Sequence, residues 1–146
     1  MKGLIKKVRE NKKGFTLAEL LVVVAIVGIL VAISIPIFTA QLAKARRATN
    51  NANLRAAKAA AIAEYLTSES TDDAKYKYEV ASGEITDKAA TIPTDYTEVT
   101  INSTSGDDKV DDTKLYKIIY IEITSEDDDE QTLNSATATL HAKKGE

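Results

Sequence analysis

Glu19 is the only formally charged residue between Phe15 and Phe38, a run of 24 residues that is otherwise apolar or hydroxyl-bearing. As a helix rising ~1.5 Å per residue the run reaches ~36 Å, enough to cross a ~30 Å hydrocarbon core. An unpartnered carboxylate in lipid costs roughly 2.5 to 3.5 kcal/mol on insertion scales, so such a group marks function rather than packing and calls for a partner. The run begins abruptly, with Lys12-Lys13-Gly14 closing a basic leader and Phe15-Thr16-Leu17-Ala18-Glu19 following at once. The other chemistry-bearing groups are sparse. The single histidine, His141, falls where strand alternation puts it on the polar face opposite Leu140, a surface position. One histidine, no cysteine and no phosphate-cradling glycine loop leave triad, zinc and dinucleotide chemistry without residues to run on. No enzymatic activity, cofactor or metal site is expected.

Two acidic clusters stand out, Asp107, Asp108, Asp111 and Asp112, and the contiguous Glu126-Asp127-Asp128-Asp129-Glu130. Calcium takes oxygen ligands in flexible geometry, but neither cluster has EF-hand spacing, and charge runs of this kind are solvated, self-repelling loops. Asn102-Ser103-Thr104 is a glycosylation-type sequon in a predicted exposed turn.

The elements that carry these groups follow from charge and helix propensity. Residues 1–14 hold six bases and one acid, residues 39–66 five bases and one acid, and residues 67–146 eight bases against 19 acids, a net −11. A basic leader stays on the cytoplasmic side, so residues 39–146 lie outside the membrane. A secretory signal peptide would end in a small-residue cleavage site, whereas this apolar run continues into a helix-forming segment. Thr39–Leu66 is rich in Ala, Lys, Arg, Leu and Gln, which predicts one helix from about Phe15 to Leu66, ~78 Å long and bent near Pro36. Phe38, Leu42, Ala45, Thr49, Ala52, Ala56, Ala59, Ala63 and Leu66 form one face of it, and Leu54, Ile62 and Tyr65 a second. The C-terminal half should pack on its own head, and the N-terminal half on copies of itself.

After turn-forming Thr67–Asp73, Tyr76, Tyr78 and Val80 alternate with charged residues, Ser82-Gly83 turns the chain, and Glu84–Thr86 returns as a short hairpin. Thr97–Ile101, Leu115–Thr124 and Ala136–Lys143 read as three more strands, divided by turn-rich Asn102–Thr113 and Ser125–Ser135. Leu115–Thr124 is apolar on both faces, with Leu115, Ile119, Ile121 and Ile123 on one and Tyr116, Ile118 and Tyr120 on the other, so it should be central. The fold class is α+β, a long N-terminal helix whose amphipathic half packs on a small antiparallel sheet. Its organisation is a leader, 1–14; a transmembrane segment, 15–38; an amphipathic helix, 39–66; and a sheet head, 67–146. The acidic head argues against direct nucleic-acid binding.

The junction around Gly14, with Glu19 five residues beyond it, resembles the class III leader of type IV pilins and their relatives, across residues 12 to about 66. The resemblance implies cleavage between Gly14 and Phe15 by a prepilin peptidase and N-methylation of Phe15. It also implies assembly of a homo-oligomeric helical filament through Phe15, Thr16 and Glu19, with Glu19 pairing to the N-terminal amine of a neighbouring subunit. The segment between Gly28 and Pro36 would lose helical structure as subunits leave the lipid. Partners would be the assembly machinery and minor pilins, and the product an extracellular pilus of major-pilin type serving adhesion, twitching motility or biofilm. The cysteine-free head is similar to Gram-positive members. The alternative is a pseudopilin of a type II secretion or competence DNA-uptake machine, some of which hold calcium in a C-terminal loop.

Overall fold

The computed structural model describes residues 14–68, 72–103, 106, 109–128 and 132–145. Its elements are α1 (Leu17–Thr67), β1 (Ala74–Glu79), β2 (Glu84–Asp87), β3 (Thr97–Glu98), β4 (Ile118–Asp128) and β5 (Thr132–Ala142). The chain divides into two compact units, Met1–Ala40 and Gln41–Glu146.

In the first unit, α1 is helical through both Gly28 and Pro36. Ser34 Oγ donates to the Leu30 carbonyl at 2.7 Å and Thr39 Oγ1 to the Pro36 carbonyl at 3.0 Å, so hydroxyls add bonds along the turns around the proline. Every large apolar side chain from Phe15 to Phe38 is exposed, from 49% at Val31 to 90% at Phe15. By length and composition this segment can cross a membrane.

In the second unit, five antiparallel strands lie in the order β2-β1-β4-β5-β3, with β4 at the centre as its apolar faces predict. Ile119, Ile121 and Ile123 of β4 pack with Tyr76 and Tyr78 of β1, Leu140 and Ala142 of β5, and Leu54, Ala57, Ala61 and Tyr65 of α1. This is the predicted α+β arrangement of one long helix on a small antiparallel sheet. The opposite sheet face is covered in part by the connection from β2 to β3, whose Tyr96 ring meets Tyr120 edge-on with centroids 4.8 Å apart.

The packed helical face differs from the one periodicity selects. Ala52, Ala56, Ala59, Ala63 and Leu66 are exposed, as is Ile62, while the buried stripe runs Asn50, Leu54, Ala57, Ala61, Tyr65. An alanine row carries little apolar bias, whereas Asn50 is drawn inside by backbone groups that need it. Its Nδ2 donates to the carbonyls of Asp111 at 2.9 Å and Lys114 at 2.8 Å, and its Oδ1 accepts from the Tyr116 N–H at 2.9 Å. Asn51 Oδ1 accepts from the Asn102 N–H at 2.6 Å. The two asparagines thus fasten residue 102 and residues 111–116 to the helix.

That fastening explains two further departures. Tyr116 turns into the core while Leu115 is 46% exposed, so the predicted alternation begins only at Ile118. The predicted Thr97–Ile101 strand stops at Glu98, because Asn102 takes a positive φ of 68° where its N–H meets Asn51. A third departure has another cause. The predicted turn Ser125–Ser135 is mostly strand, since β4 runs to Asp128 and β5 starts at Thr132. The ladder continues past Ile123 on backbone pairing, which a search for a buried face does not detect.

The first acidic cluster is not simply solvated loop. Asp107 and Asp108 lie outside the described residues, but Asp111 is buried and accepts from the Thr113 N–H at 2.8 Å, Thr113 Oγ1 at 2.6 Å and the Gly145 N–H at 2.8 Å. Its own N–H donates to Tyr116 Oη at 2.8 Å. Asp112 pairs with Arg47 and, at 3.4 Å, with Lys109. In the second cluster Glu126–Asp128 belong to β4, and Asp129 and Glu130 lie outside the described residues.

Two outcomes follow for the head. Replacing Asn50 by Ala strands two buried backbone groups and one partly buried, the buried ones each worth roughly 1–3 kcal/mol, so Asn50→Ala should cost at least about 2 kcal/mol in chemical denaturation. Asn53→Ala, at a neighbour whose side chain makes no hydrogen bond among the described residues, should stay within about 0.5 kcal/mol of wild type. Burial pushes the Asp111 carboxyl up, but the bonds donated by Thr113 and Gly145 outweigh it and hold the group below its ordinary 3.8. The unfolded chain therefore binds that proton more tightly, and the ionised group stabilises the fold above about pH 4, a contribution lost as pH falls through the lower folded value. Thermal denaturation across that range should show Asp111→Asn less stable at neutral pH and with a shallower acid limb than wild type.

Candidate processing and assembly site

Thr16-Leu17-Ala18-Glu19 is a capping box at the start of α1. The Thr16 N–H donates to Glu19 Oε2 at 2.8 Å, Thr16 Oγ1 donates to the same oxygen at 2.9 Å, and the Glu19 N–H donates back to Thr16 Oγ1 at 3.2 Å. The carboxylate that seemed alone in an apolar run is therefore held by its own helix end, where the dipole also favours negative charge. Both donors fall on Oε2, and among the described residues Oε1 receives no hydrogen bond. The resemblance singled out Thr16 and Glu19 for assembly but not their reciprocal box, which the T-x-x-E spacing announces.

Gly14 and Phe15 precede the helix, with Phe15 90% exposed. A Cβ added at Gly14 or at Gly28 would meet no atom within 4 Å, and neither residue has a positive φ. Neither glycine is demanded by this chain's own fold. Gly83 and Gly145 differ, with φ of 74° and 83° that favour glycine.

The remaining candidates are accounted for within the head. His141 lies opposite Leu140 as alternation predicts, but it is half-buried rather than a free surface residue: its side chain is 17% exposed, with Nε2 3.6 Å from Glu122 Oε2. Among the described residues no three His, Cys, Asp or Glu groups are placed to hold a metal ion. In the sequon, Asn102 is exposed and its Oδ1 accepts from Arg55 Nη2 at 2.9 Å, while Thr104 lies outside the described residues.

Comparison with known families gives one match, in which residues 9–35 fit the prokaryotic N-terminal methylation motif. No curated protein and no solved structure matches the chain. The matched segment covers 27 of the 146 residues and contains Gly14, Phe15, Thr16, Glu19 and Gly28. An exposed apolar helix opening on a capped glutamate, its first turns lying within this motif, supports a type IV pilin-like protein made as a membrane-anchored precursor and fits pilins and pseudopilins alike.

Proposed function

We propose that this chain is the precursor of a structural subunit of a type IV pilus, of major-pilin type, cleaved between Gly14 and Phe15 by a prepilin peptidase and methylated on Phe15. Subunits leave the membrane through their apolar helices and polymerise into an extracellular filament with roles in adhesion, twitching motility or biofilm. The chain catalyses nothing. The observation that carries this reading is the bare apolar helix itself: every side chain from Phe15 to Phe38 is exposed among the described residues, so lipid and then neighbouring subunits must cover it.

The capping geometry fits the assembly step. Cleavage after Gly14 leaves an amine on Phe15 that is charged or nearly so near neutral pH, and Glu19 Oε1 is open to accept from the amine of a neighbouring subunit. In an apolar filament core that attraction far exceeds its value in water. The exposed alanine row Ala52, Ala56, Ala59 and Ala63 lets other helices approach closely. Gly28 and Pro36 bracket a segment whose helix is intrinsically weak, by ~1 and ~3 kcal/mol relative to Ala, and that melts locally on assembly.

Processing is the testable core of this reading. Mass spectrometry of protein shed from the cell surface should give an N-methylated Phe15 as the first residue, and Gly14→Val should hold the full-length chain in the membrane. A shed protein beginning at another residue, or one retaining Met1, contradicts the proposal.

A further inference from the structure

Two patches of opposite charge flank the head sheet. The first is an open groove of about 330 Å³ lined by Lys44, Arg47, Ala48, Asn51 and Arg55 of α1 and by Asn102, four residues beyond the edge strand β3. Arg47 is met by Asp112, but Arg55 bonds only the neutral Asn102 among the described residues, and Lys44 has no partner among them. The oxygens of Asn51 and Asn102 are taken up by the Asn102 N–H and by Arg55, so their NH2 ends remain as donors. The Arg47 Nε is buried without an acceptor. The groove carries two uncompensated positive charges and a surplus of donors.

The second patch is the tip of the β1–β2 hairpin, at the opposite edge of the sheet. Glu79 and Glu84 face each other directly across this ladder, both exposed, and neither has an ion-pair partner among the described residues. Like charges directly opposite on a ladder destabilise it, so this pair weakens the isolated subunit and is relieved by cations from outside. The turn between them is narrow, with Gly83 at φ 74°. Two carboxylates at one edge thus match two cations beside the other. A contact between two different patches is heterologous, and where its rotation does not close a ring it extends as a filament requires.

We propose that the β1–β2 tip of one subunit enters the α1 groove of the next, with Glu79 and Glu84 accepting from Lys44 and Arg55. The inference rests on the filament reading and names a contact between heads within it. Exposed pairs of this kind set register and partner choice more than affinity. The contact also places the acidic head of one subunit against the basic outer helix of another.

Charge exchange in the full-length protein tests it. Lys44→Glu with Arg55→Glu, and separately Glu79→Lys with Glu84→Lys, should each lower filament number about tenfold as like charges meet, and all four together should restore it. An immunoblot for processed protein in the membrane checks that each variant accumulates. The cysteine-free background allows a second measurement that needs no charge change. Filaments carrying Ala48→Cys and Ser82→Cys should give a ladder of disulfide-linked multimers on oxidation, and each single variant none beyond dimers. Wild-type cells without filaments would refute the filament reading itself. Filaments that tolerate either reversal, fail to recover in the fourfold variant or give no ladder would overturn this contact alone.

Discussion

An apolar helix that its own chain leaves bare is the constraint on which everything else depends. From Phe15 to Phe38 no large side chain is less than 49% exposed, and water is not a solvent in which such a surface can persist. On the proposed reading lipid satisfies it in the precursor, and other apolar helices satisfy it once the lipid is left behind. The single carboxylate in the segment is then the group that lipid tolerates least and that an assembled core can use most. The capping box reconciles the two situations. It holds Glu19 Oε2 within the chain through Thr16 and leaves Oε1 unbonded among the described residues.

The head meets a different problem, since it has no disulfide and a sheet in which only β4 and β5 are long. Burial of Leu54, Tyr65, Ile119, Ile121 and Ile123 provides the apolar core, and the described residues between β3 and β4 are held by polar groups as well. Asn50 and Asp111 do this. Asn50 reaches from the helix to the backbone at Asp111, Lys114 and Tyr116, and Asp111 reaches on to Gly145 near the chain's end. Helix, irregular segment and C-terminal residues are joined by polar groups that are nearly all satisfied, which is what makes a buried polar network stabilising rather than costly.

What was legible in the sequence and what was not divides along the same line. The helix, the β1–β2 hairpin, the central place of β4 and the Gly14–Glu19 junction announce themselves through local composition and period. The packed helical face does not, because Ala52, Ala56 and Ala59 are as periodic as Ala57 and Ala61. The signal that was present is the trio Asn50, Asn51 and Asn53 inside a stretch of strong helix formers: asparagine disfavours helix interiors, so its presence there asks for a tertiary reason. The acidic residues misled for a related cause. Asp111 looks like its neighbours in composition, and only its partners, the nearby Tyr116 and the distant Gly145, set it apart. Likewise β4 and β5 extend into polar sequence because each supplies the other's hydrogen bonds.

The central claim is that the charge of Glu19, and not merely its capping of α1, drives subunit docking. Glutamine at this position keeps the oxygen that accepts from Thr16 and removes the charge. Electron microscopy of cells carrying Glu19→Gln, beside an immunoblot of their membranes, therefore tests the claim most directly. A processed, membrane-inserted protein with few or no filaments is the predicted result, and filaments of normal number and length would contradict it.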